Sequence, residues 1–186
     1  PGGAEDLCET GILEQHNVKT VFGLHIWPGL EAGVVHSRVN ELMARASEVN
    51  VDIYGKSAHI GRSWEGIDSM EIACIYLRDA YDMERSIHPK TPRLLKFGHM
   101  QSGTVRNAIS AYTRMEGGLR AFSDDVFFWM RDRLIQIGKE LEKRFGCTVK
   151  VHTSNGYPAI DNPQALHDKV YDIAPFETLT EPSMTT

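Results

Sequence analysis

Histidine is the side chain best suited to bind a metal ion or move a proton near neutral pH, and this chain has eight of them. One, His25, closes a short apolar run, residues 20–26, and is followed at once by Trp27-Pro28-Gly29. A continuous apolar run bounded by turn residues reads as a buried strand of an α/β sheet. Ligands bind at the carboxyl ends of such strands, where a neutral imidazole nitrogen can coordinate zinc. On spacing alone, a lone histidine is more often a core residue than a ligand. His16, His36, His88, His99, His152 and His167 have no ligand-like neighbour in sequence and read as structural or surface residues. His59 reads as a turn histidine, Arg120 as a surface strand residue and Arg106 as an ordinary exposed one. Cys8, Cys74 and Cys147 form no CxxC pair, so no zinc ribbon or redox motif is present. They read as free, small buried hydrophobes in a reducing cytoplasm.

The elements that must position these residues follow from periodicity. A short helix is expected over residues 3–13, ended by Asn17, and a further strand over 34–39. Val49, Val51 and Ile53 alternate with Asn50, Asp52 and Tyr54, the pattern of a half-buried strand. Ile72, Ile75, Tyr76, Ala80 and Met83 fall on one face of a helix over 67–86, which Pro89 and Pro92 prevent from continuing. Strands are expected over 94–100 and 111–122. Ser123 or Asp124 caps the next helix, whose stripe runs Val126, Met130, Leu134, Ile137, Leu141 and Phe145, and Gly146 stops it. A strand over 148–153 completes the order strand–helix–strand–strand–helix–strand, the split βαβ or ferredoxin-like arrangement of an α+β domain. Asn162-Pro163 then opens a helix to about residue 173. Three segments result: 1–44 and 157–186 as parts of an α/β sheet domain, and 45–156 as a module inserted between them.

Bulk properties narrow the partners. The 186 residues carry a net charge of −5 and are 41% hydrophobic, enough for a packed core. Mild acidity argues against a nucleic-acid partner. No apolar run approaches the roughly 20 residues of a membrane span, and no signal-peptide pattern opens the chain, so a cytoplasmic location is expected. The start at Pro1 and the polar end at Thr186 read as interruptions of a longer chain.

The words around His25 carry a resemblance. Phe22-Gly23-Leu24-His25-Ile26-Trp27-Pro28-Gly29 resembles the zinc aminoacylase and carboxypeptidase family of metallopeptidases, in its hippurate hydrolase and N-acyl-amino-acid amidohydrolase branch. Matching words follow the family order: Pro1-Gly2-Gly3-Ala4, Gly55-Lys56-Ser57-Ala58-His59, Gly103-Thr104-Val105-Arg106-Asn107, Gly118-Leu119-Arg120 and Glu181-Pro182-Ser183-Met184. The resemblance implies an α/β zinc-hydrolase catalytic domain, present in part, with 45–156 as its ferredoxin-like lid and dimerisation domain. It implies two divalent ions, zinc first, with manganese or cobalt as alternatives, and His25 as one ligand. His59 matches the lid histidine that helps hold the oxyanion in the partner subunit's active site, and Asn107 with Arg120 matches the pair expected to hold the substrate carboxylate. The family's remaining ligands and its general-base glutamate lie in words before Pro1 and beyond Thr186.

The implied protein is a homodimeric amidohydrolase that acts on N-acyl amino acids or short peptides, with no nucleic-acid or membrane partner. The present piece is expected to be inactive alone. A carboxypeptidase or dipeptidase of the same fold and a non-catalytic dimerisation module remain as alternatives. Three departures bear on the substrate. Ser57-Ala58 stands where two glycines are usual, Ser63-Trp64 where many relatives have Pro-His, and Asn107-Ala108-Ile109-Ser110 where Asn-Val-Ile-Pro is usual.

Overall fold

Two short helices open the chain in a computed structural model that describes residues 3–174 and 176–184. Pro1 and Gly2 of the first matching word, and the last two residues of the 157–186 segment, lie outside those described. Helices α1 (Gly3–Glu9) and α2 (Ile12–Gln15) replace the single expected helix. Gly11 separates them with φ of 70°, a left-handed turn that a right-handed helix cannot absorb. Asn17 follows α2 with φ of 51°, the conformation that asparagine tolerates best among side-chain-bearing residues. The expected strand over 20–26 does not form. Val21, Phe22, Leu24 and Ile26 are 72%, 66%, 86% and 90% exposed. A buried strand needs a paired edge and a covered face, and no described residue supplies either. Pro1–Val34 is one compact unit and Val35–Thr186 another.

The second unit begins with β1 (His36–Ser37), β2 (Asn40–Met43) and the ten-residue β3 (Arg45–Tyr54). Helix α3 (Ser69–Ser86) leads to β4 (Arg93–Ser102) and β5 (Tyr112–Ala121). Helix α4 (Asp124–Phe145), β6 (Thr148–Thr153), β7 (Ile160–Asn162), α5 (Gln164–Ile173) and β8 (Glu177–Thr178) complete it. Strands β4, β5, β3 and β6 form one antiparallel sheet in that order. Strands β3 and β5 pair over their whole length, from Arg45↔Ala121 to Tyr54↔Tyr112. The stretches on either side of this sheet meet each other: β1 pairs with β8 in parallel, and β2 with β7 antiparallel.

The core lies between the sheet and α3 with α4. Val49, Val51 and Ile53 of β3 are fully buried with Tyr76 and Ile72 of α3 and Met130 of α4. Each such side chain contributes roughly 1.5–3 kcal/mol through removal of apolar surface from water. Asp68 caps α3 by accepting from the Met70 amide at 2.9 Å. Ser123 caps α4, and Gly146 ends it at φ of 67°. Gly138 lets α4 approach β6: a Cβ there would sit 3.1 Å from Val149 Cγ1. Cys8 and Cys74 are exposed and Cys147 half-buried, so two of the three thiols are not the buried hydrophobes expected. Among the described residues no helix is long and apolar enough to cross a membrane.

Candidate functional site

His59 leaves the end of β3 on a tight loop. Lys56 and Ile67 exchange both backbone hydrogen bonds, at 2.9 and 2.8 Å, and close residues 56–67 into a hairpin-like excursion. The closure requires glycine. A Cβ on Gly55 would stand 2.2 Å from the Ile67 carbonyl oxygen. His59 then caps a short 3₁₀ helix, Ile60–Glu65. The Gly61 amide donates to His59 Nδ1 at 3.1 Å. An acceptor nitrogen holds no proton, so the neutral ring carries its hydrogen on Nε2 and is a donor there. The residue is exposed, and its donor nitrogen can reach a ligand.

Asn107 lies beside it. The loop between β4 and β5 runs antiparallel to the His59 segment. Ile60 N donates to the Asn107 carbonyl at 3.1 Å, Ile109 N to the Ala58 carbonyl at 2.9 Å, and Ser57 Oγ to the Ile109 carbonyl at 2.9 Å. His59 and Ala108 form an isolated bridge. Two words 48 positions apart, from His59 to Asn107, are thus zipped together.

Arg120 is elsewhere. It sits on β5 opposite Ala46 and Leu94, at the end of the strand farthest from the Asn107 loop. The eight steps from Tyr112 to Arg120 span about 27 Å of extended strand. Its Nη1 donates to the Met184 carbonyl at 2.5 Å, so the Gly118-Leu119-Arg120 and Glu181-Pro182-Ser183-Met184 words touch. One chain therefore brings His59 and Asn107 together but does not bring Arg120 to them.

Beside Arg120's end of the sheet lies a residue that the sequence reading passed over. Arg45 is 6% exposed, donates from Nε and Nη2 to both Asp124 oxygens at 2.8 and 2.9 Å, and reaches the Asn155 and Gly156 carbonyls. Its guanidinium also lies 5.0 Å from the Phe128 ring centroid. Position 45 opens an alternating run, but nothing in the sequence pairs it with position 124. On the helix-free face of the sheet, Tyr112 donates to Asp52 at 2.5 Å and Arg114 to Glu116 at 2.8 Å. The bond to Asp52 pushes the Tyr112 phenol up, and the bond from Arg114 holds Glu116 below the usual carboxylate range. His99 meets Glu116 at 3.1 Å, and His152 lies 3.8 Å from Asp52, so both have acidic partners that sequence neighbours did not reveal. His36 and His167 each keep a buried Nε2 with no hydrogen-bond partner among the described residues.

His25 belongs to the first unit and is exposed. Its Nδ1 lies 2.6 Å from the Ile26 carbonyl oxygen, which only accepts, so Nδ1 carries the proton and Nε2 is the nitrogen open to a metal ion. Among the described residues no group of three histidine, cysteine or carboxylate side chains is arranged to hold a metal. His25 fits one position of a metal site, and the described residues do not complete one.

Comparison with known proteins gives this arrangement its context. No protein-family model matches the chain. The N-acetyldiaminopimelate deacetylase of Lacticaseibacillus casei is 31% identical over 155 residues, which is 82% of this chain and 40% of that protein. The protein of the same description from Oceanobacillus iheyensis is 28% identical over 186 residues, all of this chain and 48% of that one. The chain thus spans less than half the length of these curated relatives. Among solved structures, a Staphylococcus aureus protein described as an aminohydrolase aligns with TM-score 0.82 at 19% identity, over 97% of this chain and 49% of that one. A dinuclear metal-binding peptidase of the M20 family from Bacillus subtilis aligns with TM-score 0.69 at 20% identity, over 97% and 46%. At that identity the structures speak for the fold, a mixed α and β architecture.

Proposed function

We propose, for a chain that belongs to the M20 family of amidohydrolases and metallopeptidases, that the whole protein removes the acyl group from an N-acyl amino acid. In this reading residues 45–156 are its ferredoxin-like lid and dimerisation domain, and 1–44 with 157–186 belong to the catalytic domain. The sheet order β4-β5-β3-β6 with both helices packed into one core supports the lid assignment, and the pairing of β1 with β8 and β2 with β7 supports an insertion. The protein is taken to work in the cytoplasm, in keeping with its free cysteines.

The observation that carries the reading is the tautomer of His59. Fixed by the Gly61 amide, the imidazole presents Nε2–H outward. A fixed donor aimed at the oxyanion of a tetrahedral intermediate is worth about 2.7–4 kcal/mol of barrier. Asn107, zipped to the same segment, adds an amide donor for the substrate carboxylate, and Arg120 supplies a guanidinium fork. Because β5 separates Arg120 from the other two, a complete site needs His59 and Asn107 of one subunit and Arg120 of another. Divalent ions, zinc in the first place, would activate the attacking water; His25 Nε2 would be one of their ligands.

The test is complementation in the whole protein. His59→Ala and Arg120→Ala variants are each expected to lose about 100-fold or more in kcat/KM on hippurate or an N-acetyl amino acid, His59→Ala chiefly through kcat. Co-expressed, they form mixed dimers in which one site of two is intact, and activity returns to roughly a quarter of wild type. No return, with mixed dimers verified by mass, would refute the shared site. The 186-residue chain by itself is expected to turn over neither substrate and to bind zinc weakly, since a catalytic zinc typically keeps three protein ligands; steady hydrolysis by the purified chain would overturn this.

A further inference from the structure

We propose that Ser110 is a positioning residue: its buried hydroxyl sets the mutual placement of His59 and Asn107, an inference whose catalytic meaning rests on the reading above. Ser110 is 4% exposed, and its Oγ is a hub. The Gly103 amide and the Ser102 hydroxyl each donate to it at 3.0 Å, and the Ser69 hydroxyl lies at 2.9 Å. Ser110 Oγ in turn donates to the Tyr112 carbonyl at 2.7 Å. Its own carbonyl accepts from Ser69 N and Ser69 Oγ, both at 3.0 Å, at the first residue of α3.

The consequence is geometric. Ser102 and Gly103 are one base of the loop that carries Asn107, and Ser110 and Tyr112 are the other. One oxygen atom fastens both bases, and the neighbouring carbonyl fastens them to α3. Between these anchors the loop hydrogen-bonds to the His59 segment through two backbone bonds and the Ser57 hydroxyl, beside the Ile109 side chain packed near Gly66. Two backbone bonds at an exposed edge open readily when the loop behind them is free. With its base fixed, the loop offers those bonds a single register, and His59 and Asn107 act as one unit. A buried hydroxyl with this many partners also cannot be removed without stranding the groups that bond to it.

Amide exchange in the 186-residue chain tests this without reference to activity. Ser110→Ala is expected to speed exchange at Ile60 and Ile109 about tenfold or more, while the amides of paired β3 and β5 keep their protection. Ser110→Thr retains the hydroxyl and is expected to restore slow exchange at both. If threonine's extra methyl prevents that, Ser102→Ala, which deletes one donor to the same oxygen, must quicken the same two amides. Unchanged exchange in Ser110→Ala, a uniform rise across the sheet, or no response to Ser102→Ala where threonine has failed to restore it, overturns the inference. In the whole protein, Ser110→Ala is then expected to lower kcat more than it raises KM. Local exchange that quickens while hydrolysis persists unaltered leaves the positioning intact and refutes the catalytic reading of His59; unchanged exchange refutes the positioning whatever the activity.

Discussion

The proton on His59 is assigned by a neighbour's backbone, and other titrating groups in this chain are governed by equally local causes. Tyr76 is fully buried and donates to the Leu134 carbonyl at 3.1 Å. Burial pushes its phenol well above the ordinary value. A raised folded-state pKa stabilises the fold at every pH below the ordinary value near 10, and that stabilisation is lost as pH climbs past it. The urea midpoint is therefore expected to fall on the alkaline side, and Tyr76→Phe to flatten that fall at the cost of about 1 kcal/mol near neutrality. Glu116 runs the other way. Arg114 holds its carboxylate low, so its contribution is present at neutral pH and lost as pH falls below the ordinary carboxylate range. Arg114→Gln is expected to weaken that acid-side dependence in the same urea titration, leaving the part that His99 holds.

Among the elements, α3 and α4 were legible because their apolar residues recur at helical spacing, and α4 also because its ends carry capping types; the Asp68 cap of α3 lay inside the expected helix. Asp68, Ser123 and Gly146 each do in three dimensions what their residue types allow. Ser123→Ala is expected to cost about 1 kcal/mol in chemical denaturation. Gly138 was not singled out by pattern, since a mid-helix glycine looks like a weak point. Its use is contact: with Val149 and Val151 of β6 within 3.1 and 3.3 Å of a hypothetical Cβ, Gly138→Val is expected to force α4 from the sheet and lower stability by about 1–3 kcal/mol. The run 20–26 has the opposite history. Its composition is that of a strand, but strand formation depends on partners, and none of the described residues pairs with it.

For the molecule as a whole, Arg45 matters most. It stands where the chain enters the four-stranded sheet and holds the carbonyls of Asn155 and Gly156, where the chain leaves it. Gly156, at φ of 60°, comes so close to Ala46 that a Cβ would lie 2.1 Å from its carbonyl oxygen. Both crossings are thus bound at one point, to each other and to Asp124 at the start of α4. Arg45→Ala is expected to cost about 2–4 kcal/mol, through lost packing on Phe127 and Phe128 and the stranded carbonyls. Thermal melting would register this, and melting unchanged within error would show that the clamp is redundant.

By itself the sequence determined whatever depends on residue type and near neighbours: the two long helices, the four long strands, the stops at Gly146 and Asn17, and the words that carry the family. These follow from side-chain periodicity and from backbone angles that few residues accept. Only the tertiary structure decided which distant groups meet. It joined His59 to Asn107, held Arg120 a strand's length away, and gave Ser110 and Arg45 their buried partners. Hydrogen bonds between segments about 40 to 111 positions apart leave no periodic trace, because each needs only one residue on each side and the fold to bring them together.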